Sequence, residues 1–492
     1  MSIKQDLLRY IDAGYPIIYI NSYEESKTDR IIAEAIGGRE GLEWNGADGF
    51  VEFRTKKTLV PNRTLLQTLM QLSVEGELER KILILKDIHP YLEEREIIAQ
   101  LKNICRKIDE GLDTAIIMVS SIVKVPRELE KFITILELEY LTQDEIRQQI
   151  RSFASEQDYP ISDALLEEMS MAFKGLTEFE IDRLLASALA SDGEFNRRNL
   201  KLIFEQKQQM IMKSGILEMI PLKEKPEDIG GLENLKEWLY RKARVYKSIN
   251  KAVEFGVDMP KGVLIAGVPG CGKSLTAKVT AQLFEVPLLR LDMGKIMGKY
   301  VGESEENMRR AIALAEAISP CVLWIDELEK AFAGINGSGS EVTVRLFGTF
   351  LTWMQEKTSP AFVIATANDI TKLPPELMRK GRFDEIFFVG LPKAQERKKI
   401  FEIHIKKRRK QDLNSIDIDG LVKQTDGYSG ADIEGVIKDA VENAFADGKS
   451  ALTSDYIEQA IKNTHSLSEI MKDSLEKMSH EYETRKFKNA SI

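Results

Sequence analysis

Cysteine is scarce in this chain: Cys105, Cys271 and Cys321 are its three among 492 residues. Three thiols so spaced make no disulfide framework and suit a reducing compartment. Long apolar runs are missing too, and none approaches the ~20 residues needed to span a bilayer. The start, Met1-Ser2-Ile3-Lys4-Gln5-Asp6, begins a helical pattern instead of a signal peptide. Positive charge is not in excess. Lysine and arginine number 69 against 78 aspartates and glutamates, so the formal net charge is −9. That argues against bulk nucleic-acid binding, and no basic stripe interleaved with aromatics stands out. The pattern H-E-x-x-H does not occur, which excludes a fused zinc metalloprotease. What remains is a globular composition, 43% hydrophobic and 30% charged. The length suits about three domains at roughly 150 residues each.

The most informative stretch is Gly267-Val268-Pro269-Gly270-Cys271-Gly272-Lys273-Ser274, which fits G-x-x-x-x-G-K-[ST]. It follows the apolar run Gly262-Val263-Leu264-Ile265-Ala266 and precedes a helical pattern from Leu275 to Phe284. Strand, glycine-rich loop and helix come in the order a phosphate-binding loop requires. Glycines let backbone N–H groups approach phosphate oxygens, and the new helix points its positive end at the anion. Lys273 is expected to reach the β- and γ-phosphates, and Ser274 to hold Mg²⁺. A second buried strand, Cys321-Val322-Leu323-Trp324-Ile325, ends in Asp326-Glu327. Carboxylates at the C-terminal end of a parallel strand lie where ligands bind in open α/β sheets. Asp326 is expected to hold Mg²⁺, directly or through water, and Glu327 to polarise the attacking water. A third strand, Phe362 to Ala367, ends at Asn368, whose neutral amide can orient that water without adding negative charge. Arg379 and Arg382 flank Gly381 and could stabilise transition-state charge on a neighbour's nucleotide.

These residues carry a family resemblance. The second half resembles an AAA ATPase module of the AAA+ superfamily, with a parallel sheet, flanking helices and a helical lid. Asp228-Ile229-Gly230-Gly231-Leu232-Glu233 is similar to that family's lead-in motif, whose backbone packs on adenine. Asn368 matches the polar sensor, Arg379 and Arg382 the two arginine fingers, and His404 a histidine near the ribose and adenine. Gly427-Tyr428-Ser429-Gly430-Ala431-Asp432 matches the turn that opens a lid helix. The resemblance therefore implies a nucleotide site made from Asp228, Ile229, Gly230, Gly267, Pro269, Gly270, Cys271, Gly272, Lys273, Ser274, Leu275, His404, Gly430 and Ala431. Gly298-Lys299-Tyr300-Val301-Gly302 resembles the first pore loop, with Lys299, Tyr300 and Val301 gripping a polypeptide in a ring's channel. The alternative for Tyr300 is a core tyrosine at a helix start. Ala333 to Ser340 falls where the second pore loop would lie. Residues 321–332, 351–357 and 466–471 look like the uncharacterised AAA proteins conserved in plastid genomes, cyanobacteria and other bacteria.

The first half reads as a worn copy of the second. Laid on without gaps, Asn21 to Thr28 covers the P-loop, with Lys27-Thr28 at Lys273-Ser274. Asp87 then falls on the Mg²⁺ aspartate, followed by Ile88 instead of a glutamate, and Ser120 falls on Asn368. The loop glycines are gone, and Glu24 and Glu25 add negative charge. The expected organisation is a degenerate AAA-like α/β domain over 1–207, a linker over 208–226, an ATPase core over 227–392, a helical lid over 393–470 and a charged tail over 471–492. The end of that tail, from Met478, is expected to be a frayed helix.

The resulting expectation is a Mg²⁺-dependent ATPase that self-associates into a ring, hexameric as the resemblance implies, and remodels an unknown protein substrate. It uses no membrane or nucleic-acid partner and resides in the cytoplasm, or in the stroma if plastid-encoded. The rival reading is a nucleotide-gated scaffold that moves no substrate. Cys271, beside Lys273 at a helix N-terminus, is expected to favour thiolate and to react with thiol reagents.

Overall fold

In the computed structural model, the described residues are 3–22, 24–74, 76–193, 195–196, 198–213, 215–297, 303–331 and 341–492. The chain divides into two compact units, Met1–Asn196 and Arg197–Ile492. Each is built on one seven-stranded sheet. Lys299, Tyr300 and Val301, and the segment 333–340, lie outside the described residues.

The first unit contains β1 (Ile17–Asn21), β2 (Glu40–Asn45), β3 (Gly49–Glu52), β4 (Thr58–Val60), β5 (Lys81–Lys86), β6 (Ala115–Ser120) and β7 (Ile133–Glu137), in the sheet order β4-β3-β2-β5-β6-β1-β7. The stretch β2-β5-β6-β1-β7 is parallel, and β3 and β4 add an antiparallel edge. β5 and β6 are buried along their lengths, apart from half-buried Lys81. Parallel strands covered on both faces require such continuous apolar runs. One face packs on the helices Ile3–Asp12 and Glu25–Ala35, the other on Leu65–Leu72 and Arg95–Asp109.

The second unit contains β8 (Leu217–Ile220), β9 (Gly262–Gly267), β10 (Leu288–Leu291), β11 (Cys321–Ile325), β12 (Ala361–Ala367), β13 (Glu385–Val389) and β14 (Lys488–Asn489). Its order is β14-β13-β9-β12-β11-β10-β8, parallel except where β8 meets β10. The helices Glu233–Tyr246 and Lys273–Phe284 cover one face, and Glu303–Ile318 and Glu341–Glu356 the other. The helices Ala394–Arg409, Ile418–Gln424, Gly430–Ala446 and Ser454–Lys462 share a separate core around Phe401, Ile433 and Ile457. Among the described residues no helix is long and apolar enough to cross a membrane.

The tail departs from the expected frayed helix. Its helix runs Lys472–Arg485, and the chain then docks as β14 on the edge of β13. Tyr482 stacks on Phe388 with centroids 4.3 Å apart, and Ala490 is fully buried. A few apolar anchors among the charges hold this segment, and a composition count misses them.

Candidate nucleotide site

The loop between β9 and the helix Lys273–Phe284 forms the floor of a cavity of about 820 Å³. Gly272 enters that helix at φ +88°, a conformation L side chains rarely adopt. Lys273 is the first helical residue and is 6% exposed. Its Nζ donates to the carbonyls of Gly267 and Val268, both at 2.8 Å. Burial pushes its pKa down to about 8.

Two strand ends supply the polar wall. Asp326 Oδ1 accepts from Thr366 Oγ1 at 2.5 Å and from Ser274 Oγ at 3.2 Å. Thr366 Oγ1 in turn accepts the Glu327 N–H at 3.1 Å. Glu327, at φ +50°, turns its carboxylate to Asn368, whose Nδ2 donates to Oε1 at 3.1 Å. Lys330 Nζ donates to the other oxygen, Oε2, at 2.6 Å. Asn368 is fixed from behind, because its N–H donates to Glu329 Oε1 at 3.0 Å. Glu329 is 6% exposed, and burial raises its pKa.

The roof comes from the lead-in motif and the helices after β13. At Gly230 a Cβ would stand 2.5 Å from Ile400 Cγ1, so only glycine permits this approach. His404 lies 3.3 Å from Arg408 Nη1 and 3.8 Å from Glu434 Oε1, and burial holds its pKa below the ordinary value. Ala431 N–H donates to the Gly270 carbonyl at 3.0 Å, which closes the lid helix onto the loop.

The cavity thus brings together Asp228, Ile229, Gly230, Pro269, Gly270, Cys271, Gly272, Lys273, Ser274, Leu275, Asp326, Glu327, Asn368, His404, Gly430 and Ala431. Gly267 acts one step behind the wall through its carbonyl. Arg379 is exposed and Arg382 donates to the Glu376 carbonyl; neither lines this cavity. Sequence reasoning missed Thr366, Glu329, Glu396 and Ser491. Thr366 and Glu329 stand two residues from Asn368 and Glu327, and position on the same strand ends was the available signal. Ser491 had none, being remote in sequence. Cys271 needs correction: burial pushes its thiol up to about 11, outweighing nearby Lys273, so thiolate is not favoured.

The donors Ser274 and Asp326 are hard oxygens, which suit Mg²⁺. Among the described residues no group of three or more His, Cys, Asp or Glu could hold a metal alone.

The first unit repeats this frame with other contents. Ile18 pairs with Ile117 and Ile117 with Ile84, as Val263 pairs with Ile364 and Ile364 with Trp324. Both rows face the helix that follows the first strand. Asp87 and Glu327 share φ +50°. This register puts Lys86 at the Asp326 position, Asp87 at Glu327 and Ser121 at Asn368. The ungapped overlay is therefore corrected by one residue on each strand. Its Lys27-Thr28 match also fails. The first helix begins at Glu25, seven residues after Ile18, whereas Lys273 is ten after Val263. The loop is three residues shorter, and Lys27 points out to the Glu139 carbonyl at 3.2 Å.

Comparison with known proteins gives different family matches to the two halves of the chain. Residues 263–391 match the ATPase family associated with various cellular activities (AAA), and 415–459 match the AAA+ lid domain. Residues 3–138 match the N-terminal domain of SpoVK-like AAA ATPases, and 144–214 their second domain. The uncharacterized AAA domain-containing protein ycf46 of Guillardia theta is 39% identical over 463 residues, covering 93% of this chain and 90% of its own. That of Pyropia yezoensis is 36% identical over 496 residues, covering both chains fully. The proteasome-activating nucleotidase of Aeropyrum pernix is 31% identical over 257 residues, half of this chain and 62% of its own.

Proposed function

The chain belongs to the family of these AAA domain-containing proteins and is an ATPase, and from that premise we propose that it is a Mg²⁺-dependent, ring-forming machine that remodels a protein substrate. The observation that carries the reading is the pairing of Ser274 with Asp326 and of Glu327 with Asn368 on one cavity wall, above a buried Lys273.

Each group has one task in this reading. Lys273 and the loop N–H groups neutralise the phosphates. Ser274 and Asp326 would hold Mg²⁺, which when bound would supply charge neutralisation at the phosphates. Asn368 orients water and Glu327 accepts its proton as the oxygen attacks the γ-phosphorus. The bond to the β-phosphate oxygen breaks, leaving ADP and phosphate. Arg379 and Arg382, placed away from their own cavity, serve a neighbour's nucleotide in a ring, taken as hexameric. Residues 1–207 serve as a docking module that binds no nucleotide. Tyr300, between Lys299 and Val301, grips the substrate; similarity to a proteasome-activating nucleotidase supports a protein substrate. The compartment in this reading is cytoplasm or stroma.

The test is stimulation of ATP hydrolysis by an unfolded protein, lost in Tyr300→Ala. A stimulated rate that survives Tyr300→Ala removes the pore reading and leaves a nucleotide-gated scaffold.

A further inference from the structure

Residues 488–491 run along the edge of β13 and end at the cavity wall. Ala490 N–H donates to the Phe388 carbonyl at 2.9 Å. The Ala490 carbonyl accepts the free N–H groups of Asn234 and Leu235, at 3.0 and 3.2 Å, in the first turn of the helix Glu233–Tyr246. Asn234 Nδ2 returns two bonds, to the carbonyls of Asn489 at 3.2 Å and Ser491 at 2.8 Å. Ser491 Oγ donates to Glu396 Oε1 at 2.7 Å, and that oxygen also accepts the Leu232 N–H at 3.0 Å. Ser491, Glu396 and Leu232 all line the cavity.

This connectivity is specific. Leu232 belongs to the lead-in motif of the core. Glu396 lies in the first turn of the helix Ala394–Arg409, shortly after the end of β13. A single carboxylate oxygen thus joins core, lid helix and the 488–491 segment. At Gly231 a Cβ would meet that oxygen at 2.3 Å, so the space is already filled. Any rotation of the lid helix against the core must stretch the Ser491–Glu396 bond or carry the segment with it.

We propose that residues 488–491 are a positioning strap for the nucleotide, with Ser491 and Asn234 holding Glu396 and the lead-in loop in the binding-competent arrangement. The strap sets ATP affinity and does not touch the reacting atoms. The inference rests on reading the cavity as the ATP site.

The experiment measures KM, kcat and direct binding of a fluorescent ATP analogue in the full chain. Ser491→Ala should raise KM and the dissociation constant about fivefold, the effect of one lost hydrogen bond, with kcat within about twofold. Ser491→Thr should restore affinity. Ala490→Asp, which puts a charge in the buried contact, should weaken binding about tenfold or more. Lys273→Ala is the reference. If it loses the analogue while Ser491→Ala and Ala490→Asp bind as the parent does, the strap inference is wrong and the site stands. If Lys273→Ala itself binds as the parent does, the cavity is not the ATP site and the inference goes with it. A fall in kcat at unchanged KM in Ser491→Ala also overturns the strap.

Discussion

The two units share the sheet order β2-β5-β6-β1-β7 against β10-β11-β12-β9-β13, yet the strand ends that line a cavity in one carry an internal network of charged side chains in the other. Where Asp326 meets Ser274, the first unit has Lys86, 6% exposed and 2.9 Å from Asp29 Oδ2. Lys56 contacts the same Asp29 oxygen at 2.9 Å and pairs with Glu43, which is 1% exposed. A built-in ammonium group stands where the metal's carboxylate would be. The anion is replaced as well. Glu24 Oε2 accepts the Glu178 N–H at 3.1 Å, in the first turn of the helix Glu178–Asp192. That helix opens with a capping box, Thr177 with Glu180, as the lid helix Gly430–Ala446 opens with Ser429 and Asp432. Arg30 then clamps Glu178 at 2.7 Å. A carboxylate at a helix N-terminus does what a phosphate would do there, permanently. If the first unit binds no nucleotide, as proposed, these internal charges satisfy the groups a ligand would satisfy.

The sharpest way to break this comparison is to make matched changes in both units. Lys273→Ala should abolish ATP binding and lower turnover by more than about a hundredfold, since Lys273 carries the phosphate charge. Glu327→Gln should bind ATP normally and fail to hydrolyse it. Lys86→Ala should leave turnover within about twofold but destabilise the first unit by about 1–3 kcal/mol, because Asp29 and Glu43 lose one of two lysine partners and keep Lys56. Calorimetry on full-length Lys273→Ala should find no remaining ATP site. A residual site would mean that the first unit binds nucleotide after all.

A second test concerns what the cavity lacks. Neither Arg379 nor Arg382 lines the cavity of its own chain. If they act in trans, hydrolysis per subunit should rise with protein concentration. Arg382→Ala should cost about 10³-fold on the scale of arginine-finger losses. Mixing Arg382→Ala with Lys273→Ala should restore some turnover, because certain interfaces regain both parts. A specific rate that is flat across assembly, with no rescue on mixing, would sink the trans assignment.

The thiols offer a smaller contrast between the units. Burial pushes Cys105 up to about 12 and Cys271 up to about 11. Both should therefore be alkylated slowly at pH 7.5, by at least about tenfold relative to the unfolded chain, since the thiolate is the nucleophile. Mass spectrometry of the native protein checks this, and rapid labelling of Cys271 would contradict the buried-thiol account.

How much of this was legible beforehand varies with the physics. The strands and the P-loop announced themselves, because buried parallel strands are continuous apolar runs and phosphate loops need glycine at fixed spacing. The site residues that the cavity gathers around Lys273 were readable for the same reason. The degenerate half was misread in detail. A strand repeats every two residues, so a one-residue slip moves each side chain to the opposite face while the apolar run still looks aligned. That slip hid Lys86 behind Asp87, and the three-residue loop deletion made Lys27-Thr28 resemble a pair it does not replace. The strap at 488–491 was illegible because its bonds are mostly backbone, and backbone leaves no mark in residue type. Thr366 and Glu329 were missed because they act on Asp326, Glu327 and Asn368 and do not match a motif position themselves.

The finest distinction is acid sensitivity. The lid helix Ala394–Arg409 carries His404, whereas the helix Gln143–Glu156 of the first unit carries no histidine. Burial holds the His404 pKa below its ordinary 6.5, with Lys407 and Arg408 acting the same way and Glu434 opposing. The unfolded chain therefore takes up this proton first as pH falls. Between pH 6.5 and the lower folded value the unfolded state binds more protons, so stability is full above that window and is lost on acidification through it. Glu434 is held below its ordinary 4.5, chiefly by its hydrogen bond from Arg408. His404→Gln should flatten the fall in melting temperature of the second unit between pH 7.5 and 5.5 by about 1–2 °C. The first unit's transition should be unchanged by that substitution. Thermal unfolding followed at both pH values decides it: an equally steep fall in parent and His404→Gln would show that the histidine is not held neutral by its burial.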